Sequence, residues 1–398
     1  MNDNDSKGQW GKDVFTLLSW FKIERVQQAK VLVVGAGALG NEVLKNLALF
    51  GVGNIVVVDF DTIEYSNLTR SILFRECDAD KGLYKSQVAA QRIKEINPTI
   101  NVHAIVGKLH TDVGLGLYRN MDVVIGCLDS RMARLQLNRQ CMRANVPWVD
   151  GSIENLDGMA KVFRKGTNCY ECELPDNTKQ ILFQKMSCAD VAHRNTSAGR
   201  VPTTPVIASI IGAIQAQEAM KIIHEKDTPN DQFTSLCGKW FCYEGSHNST
   251  SIYNSAIYAD DCPAHEDWDP VVEIDSLGAD TTIADTLDMI RQKLQCNTVE
   301  INLRNDKFVD KIATRGDNKV YSPMLPESHI ADYIDSTPEL YCRLQADINQ
   351  NSYENIDADF PYQSLTLRQI GIPDWDILQV ATEKGYAYVE LSHDRWIF

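Results

Sequence analysis

No run of 18 apolar residues occurs in the 398-residue sequence. A bilayer-crossing helix needs about 20, so the expectation is a soluble chain without membrane contact. The succession of basic, apolar and small residues that marks a cleavable signal is missing at its start, and the expected location is cytoplasmic. Positive charge is also short: 39 Lys and Arg stand against 54 Asp and Glu, a net charge of -15. The shortage is local. Residues 267–398 carry 24 acidic and 11 basic side chains, whereas the preceding 266 residues carry 30 and 28. So acidic a tail excludes nucleic acid as its partner and fits a basic protein. Cysteine is not short, at 11 residues. The cysteines are scattered, however, and reduced thiols with a metal site are expected in place of disulfides. The length suffices for two or three domains, each with its own core.

What is present is organised around residues 30–70. Val31 to Val34 is a short, mostly β-branched run, as in a buried parallel strand. It leads into Gly35-Ala36-Gly37-Ala38-Leu39-Gly40, a G-x-G-x-x-G turn, and then a helical pattern through Leu44, Leu47 and Leu49. A second strand, Ile55 to Val58, ends at Asp59, nineteen residues beyond Gly40. The turn needs glycines because its backbone bends tightly and approaches a phosphate, with a helix N-terminus facing the anion. Asp59 is placed to accept ribose hydroxyls. A nucleotide is predicted, but the glycines alone do not say which. Asp61, Asn67 and Arg70 follow within eleven residues of Asp59, then Lys81 and Lys85. A dehydrogenase needs no such cations beyond its pyrophosphate turn, and no hydride-transfer apparatus is evident. Splitting a triphosphate does need them. The plain alternative makes Arg70 and Lys85 solvated surface charges.

Another buried strand, Met121 to Gly126, is followed by Cys127-Leu128-Asp129-Ser130. Asp129 thus lies just past a strand's carboxyl end, where ligands of open α/β sheets sit. It suits a magnesium ion and equally suits the N-cap of a helix before Met132. Arg134 and Asn138 share one face of that helix. Together the glycine turn, the stretch from Val57 to Arg70, Lys85 and the Cys127–Ser130 motif resemble the adenylation domain of ubiquitin-like-protein activating enzymes (ThiF/MoeB-like). That family also includes the enzymes that adenylate sulfur-carrier proteins. The resemblance spans Val31 to His265. It implies ATP, Mg2+ and a protein substrate ending in glycine. The ATP-binding residues are then Gly35, Gly37, Gly40, Asp59, Asp61, Asn67, Arg70, Lys85, Asp129 and Arg134; Arg70, Lys85 and Asp129 are also catalytic, and Asp129 holds the Mg2+.

Cys169-Tyr170-Glu171-Cys172 and, ninety residues on, Cys262-Pro263-Ala264-His265 form two knuckles. One C-x-x-C alone would fit a redox pair. Two supply the Cys3His set of a closed, structural zinc site, with Cys169, Cys172, Cys262 and His265 as ligands. The family more often has a fourth cysteine at the His265 position. Between the knuckles, Cys188 sits where the family often carries the cysteine that attacks the acyl-adenylate. Lys185, His193, Arg194 and Arg200 lie near it in sequence and favour a thiolate. Packing is the alternative role for Cys188, and the expected one for Cys237 and Cys242. The family's trans-acting arginine has no clear match among Lys12, Lys22 and Arg25.

The fold class expected is α/β: an N-terminal helical segment (1–29), then a Rossmann-like doubly wound adenylation domain with a zinc knuckle (30–268) and a crossover loop at about 180–204. A C-terminal α+β unit follows over 272–398. Its order of strand, helix, strand, short turn and closing strands is similar to a β-grasp, the ubiquitin fold. No separate cysteine domain and no rhodanese-like loop is seen, so the resemblance is to a compact, homodimeric, prokaryotic-type member. The expected function is ATP-dependent activation of a ubiquitin-like protein: adenylation of its C-terminal glycine, thioester formation on Cys188 and transfer to a conjugating enzyme. The alternative is adenylation of a sulfur-carrier protein for thiocarboxylate formation. A non-enzymatic scaffold is disfavoured by the intact Asp59, Arg70, Lys85 and Asp129.

Overall fold

The computed structural model describes residues 12–187, 202–225, 234–304, 306–315, 317–341 and 348–393. Its first part alternates strand and helix: β1 (Lys30–Val34), α1 (Ala38–Phe50), β2 (Asn54–Val58), α2 (Lys85–Ile96), β3 (Asn101–Ile105), α3 (Leu115–Arg119), β4 (Val123–Gly126), α4 (Arg131–Arg143) and β5 (Trp148–Glu154). The apolar runs of β1, β2 and β4 are buried on both faces, which is the environment that selects continuous Val and Ile in place of alternation. β1 lies at the centre, parallel to β2 on one side and β4 on the other. β3 and β5 extend the parallel sheet outward. β6 (Asp157–Phe163) then turns back antiparallel to β5, and α5 (Asp176–Ser187) and α6 (Pro205–Glu225) precede β7 (Lys239–Glu244) and β8 (Ser249–Asn254). The sheet order is β3-β2-β1-β4-β5-β6-β7-β8.

One face of this sheet is covered by α1, α2 and α6, whose Leu44, Leu47, Val88, Ile93, Ile207 and Ile211 are buried with Val31, Val33 and Ile55. The other is covered by α3 and α4, with Leu117, Leu135 and Leu137 against Leu32, Val56 and Val124. Each such side chain contributes about 1.5–3 kcal/mol. Among the described residues, α6 is the one helix with the length and apolarity to cross a membrane, and 61% of its apolar window is buried inside the protein. Here those properties serve a core: Gln215 of α6 reaches across to donate to Gly126 O at 2.8 Å.

Three expectations are corrected. In the expected N-terminal helical segment the described residues form two short helices, Lys12–Phe15 and Ile23–Gln28, and not one continuous helix. The segment expected to cross over as a loop from about 180 continues α5 to Ser187, and residues 188–201, with Cys188, lie outside the described residues. In the C-terminal unit the expected order is present: β9 (Val271–Ile274), α7 (Ile283–Leu294), β10 (Glu300–Asn302), the 3-10 turn Arg368–Ile370, and the hairpin of β16 and β17. An unexpected second sheet interrupts it. β11 (Phe308–Thr314), β12 (Val320–Tyr321), β13 (Leu325–Pro326) and β14 (Ile348–Tyr353) pair around β11 before β15 (Asn355–Ile356), β16 (Ile377–Thr382) and β17 (Gly385–Leu391) close the main sheet. That main sheet has the order β15-β10-β16-β17-β9, with β9 parallel to β17.

The two parts are tightly joined. Leu115 N donates to Asp376 Oδ1 at 2.9 Å and Gly116 N to Trp375 O at 2.8 Å. Arg119 of α3 bonds both Glu273 of β9, at 2.9 Å, and the fully buried Glu390 of β17, at 2.6 Å.

Candidate functional site

The tips of β1, β2 and β4 meet at their carboxyl ends. Gly35 N donates to Val58 O and Cys127 N to Val34 O, both at 2.8 Å. Gly35 has φ +96, and a Cβ there would strike the carbonyl of Cys127; one on Gly40 would strike Gly35 O. These two glycines are demanded by the turn itself. Gly37 is different: nothing lies within 4 Å of where its Cβ would be. That open space, at the N-terminus of α1, is where an anion can approach the backbone.

Asp59 closes the second strand. Its carboxylate accepts from Ala36 N at 2.7 Å and Asp61 N at 2.8 Å, so it fixes the glycine turn. Burial pushes its pKa up, against the opposing pull of Lys85. Ser86 Oγ donates to Asp59 O at 3.0 Å, and Lys85 Nζ pairs with Asp61 at 2.7 Å. Lys85 and Asp61 thus come together as a pair. Asn67 Oδ1 accepts from Glu64 N at 2.9 Å and closes a turn, while Arg70 Nη1 donates to Ser66 O at 2.7 Å. The residue that sequence reasoning missed is Asn41. Fully buried, it donates to Ala36 O at 2.7 Å and Gly37 O at 3.0 Å, and accepts from Leu73 N at 2.8 Å. It therefore ties the glycine turn to the segment that carries Arg70. Its only signal in the sequence is a polar residue on the buried side of an amphipathic helix.

Asp129 is exposed at the end of β4, and it is not the cap of α4. Ser130 has that job, its Oγ accepting from Ala133 N at 3.1 Å. The carboxylate of Asp129 points to no cap and is available to a cation. Arg134, expected among the ATP-binding residues, is engaged within the protein. Its Nε pairs with buried Asp150 at 3.0 Å and its Nη2 donates to Leu128 O at 2.6 Å and Gly151 O at 3.1 Å. Arg134 thereby holds the backbone on which Asp129 sits.

Some way along α4 a second cluster forms. The ligand atoms of Cys169, Cys172, Cys262 and His265 lie within 4.8 Å of one another. A tetrahedral ion with bonds of about 2.0–2.3 Å sets its ligands roughly 3.3–3.8 Å apart, so the three thiols and one imidazole are gathered closely enough to converge on such a metal. Cys172 Sγ is 3.6 Å from His265 Nε2. Backbone Ala259 N points to Cys172 Sγ at 3.4 Å, and Asn138 Nδ2 to Cys169 Sγ at 3.1 Å. Hydrogen bonds to sulfur of this kind orient metal-binding thiolates. The hydrogen bond from Cys169 holds the Cys262 thiol down at about 6, and burial pushes Cys172 up. Cys237 and Cys242, expected in the core, are half-buried.

The sequence profile of the ThiF family matches residues 13–263. A molybdopterin-synthase adenylyltransferase of Haemophilus influenzae is 34% identical over 50% of this chain and 76% of its own length. A SUMO-activating enzyme subunit 2 of Dictyostelium discoideum is 38% identical over 38% of this chain, but the match spans only 23% of that protein. Among solved structures, E. coli MccB with ATP superposes with a TM-score of 0.51 at 22% identity, covering 67% of this chain and 75% of that one. That likeness concerns the fold.

Proposed function

The chain belongs to the ThiF family, and from that premise we propose that it adenylates the C-terminus of a ubiquitin-like or sulfur-carrier protein with ATP. The observation that carries this reading is the hydrogen-bonded set at the carboxyl ends of β1, β2 and β4. There an open glycine turn, Asp59, the Lys85–Asp61 pair and an uncommitted Asp129 share one end of the sheet. In the proposed step, a carboxylate oxygen of the substrate's C-terminal glycine attacks the α-phosphorus of ATP. The bond to the bridging oxygen breaks and pyrophosphate leaves. Gly37 and the start of α1 would receive phosphate oxygens, Asp59 the ribose, and Arg70 and Lys85 the charge that builds on the leaving group. Lys85 is within reach because its partner Asp61 is half exposed and exchangeable. Asp129 would hold Mg2+, which when bound neutralises triphosphate charge.

We further propose the activating-enzyme branch: capture of the acyl group on Cys188, release of AMP, and transfer to a conjugating enzyme that docks on a ubiquitin-fold-like C-terminal unit. The strand–helix–strand order, the parallel pairing of β9 with β17 and the acidic composition support that role of the tail. Relatives covered over three quarters of their length are named as a molybdopterin-synthase adenylyltransferase and a sulfur-carrier-protein adenylyltransferase, so thiocarboxylate formation is the second reading. A structural zinc on Cys169, Cys172, Cys262 and His265, a homodimer and a cytoplasmic location complete the proposal.

The test is ATP–pyrophosphate exchange with candidate ubiquitin-like and sulfur-carrier proteins. Asp129→Ala should lower exchange about a hundredfold or more, the effect of losing one electrostatic element; an unchanged rate would remove the assignment. Cys188→Ala should keep exchange and lose any adduct sensitive to reducing agent. If that adduct survives, the nucleophile is elsewhere. If neither protein forms it, sulfur transfer is favoured.

A further inference from the structure

β3 is an end strand of the eight-stranded sheet. Asn101 N donates to Gly53 O at 2.7 Å and Ile105 O accepts from Asp59 N at 3.2 Å. The peptide groups of 101, 103 and 105 therefore turn inward to β2, and alternation along the strand turns those of Val102 and Ala104 to the open side. Proteins commonly blunt such an edge with lysine or proline. β3, reading Asn-Val-His-Ala-Ile, has neither.

This edge forms one wall of a cleft of about 690 Å³, whose facing wall belongs to the C-terminal unit at Gly278–Thr281 and Pro373–Trp375. The size lies within the usual range of ligand sites, which favour domain junctions. The His103 ring meets Trp375 edge-on at 6.4 Å. Three carboxylates line the cleft, Asp112, Asp280 and Asp374, against a single cation, Arg368. That guanidinium is already divided between Asp280, at 2.8 and 3.0 Å, and Asp374, at 2.8 and 3.1 Å. The cleft thus sets an open strand edge against a partly aromatic wall and holds two more carboxylates than cations, Asp280 and Asp374 sharing Arg368 and Asp112 standing on the β3 side.

We infer that the cleft receives an extended, basic segment of a partner protein, added as a further strand on β3. Main-chain bonds to Val102 and Ala104 would hold it, and every second side chain would face the carboxylates, the usual division of affinity and specificity in strand addition. Charge complementarity chooses the basic occupant. The inference rests on the proposed function only in taking that partner to be the acceptor of the activated protein.

The experiment uses the full chain and a fluorescein-labelled hexapeptide of alternating lysine and valine, with a glutamate–valine peptide as control. Polarisation should show saturable binding at least tenfold tighter for the basic peptide. Ala104→Pro removes only an outward N–H, which an edge strand tolerates. It should weaken that binding at least tenfold, with pyrophosphate exchange unchanged. Hydrogen exchange of the wild-type protein should slow at residues 102–106 when the peptide is added. This last measurement decides the matter if Ala104→Pro does not fold. Equal binding of both peptides, wild-type binding by a folded Ala104→Pro, or unaltered exchange at 102–106 would each overturn the inference. Loss of pyrophosphate exchange in the wild-type protein would instead count against the adenylation reading.

Discussion

The two clusters in the first part of the chain are built on opposite plans. At the cysteine–histidine corner four ligand atoms converge within 4.8 Å, and hydrogen bonds from Asn138 and Ala259 already point at sulfur. At the strand tips the charges are paired with each other or turned outward: Lys85 with Asp61, Arg134 with Asp150, and Asp129 exposed. The first arrangement surrounds one point and leaves no open position, as a structural ion requires. The second leaves room at Gly37 and keeps Lys85 in a pair whose partner Asp61 is half exposed, as a substrate that comes and goes requires. The first arrangement would suit a permanent ligand and the second a transient one, on neighbouring parts of one sheet.

The contrast breaks most sharply at the corner. Cys172→Ser should lose the metal and unfold the protein or drop its melting temperature by 10 °C or more, because metal binding here is folding free energy. Metal analysis should return about one zinc per wild-type chain, and a metal-free protein of wild-type stability would make the two clusters alike. Gly40→Val should abolish pyrophosphate exchange by about a hundredfold or more, since any Cβ at residue 40 meets the carbonyl of Gly35. Its metal content should stay unchanged, and a loss of metal would deny the independence of the two sites.

A subtler comparison sets Asn41, in the first turn of α1, against Asn97, a fully buried asparagine just past α2 that bonds the other end of α1. Asn97 donates to Ala48 O at 3.0 Å, far from the turn. Alanine at either should cost about 1–3 kcal/mol of stability, the cost of unpaired buried groups. Only Asn41→Ala should also raise the KM for ATP, about tenfold, because only Asn41 links the glycine turn to the Arg70 segment. Equal KM values would reduce Asn41 to a structural role. The smallest expected effect is of pH. His224 Nε2 accepts from Lys22 N at 3.0 Å while its other nitrogen bonds Met220 O. Burial, with Arg25 and Lys22 nearby, lowers its pKa below 6.5. The folded state therefore favours the neutral ring: its contribution is whole above pH 6.5 and fades as the pH falls below it. Melting temperature should drop by about 2–4 °C between pH 7.5 and 5.5 if the bond contributes about 1 kcal/mol, and His224→Gln should flatten that drop.

How much of this was legible beforehand follows from how far each feature reaches along the chain. The glycine turn, Asp59 and the two knuckles are short motifs whose chemistry is carried by spacing alone, and the structure brings each set together. The pairing of Arg134 with Asp150 needs α4 laid beside β5, which no periodicity announces. Asp129 was open to two roles because Ser130, one residue on, is an equally good cap. The second sheet was hidden for a different reason. β12 and β13 have two residues each, and β14 reads Ile-Asn-Gln-Asn-Ser-Tyr, mostly exposed and polar. Its strands are defined by pairing with β11 and not by any apolar alternation.

Arg119 joins α3 to the first and last strands of the C-terminal unit at once, through Glu273 and Glu390. Glu390 is wholly buried and also accepts from Asn120 Nδ2 at 3.2 Å, and removing the Arg119 guanidinium would leave its charge uncompensated at a cost of about 3–5 kcal/mol. Detachment of the C-terminal unit is therefore coupled to melting of β17 and fraying of α3. In native-state hydrogen exchange the amides of β9, β17 and α3 should open together, as one cooperative unit that spans the boundary between the two folds.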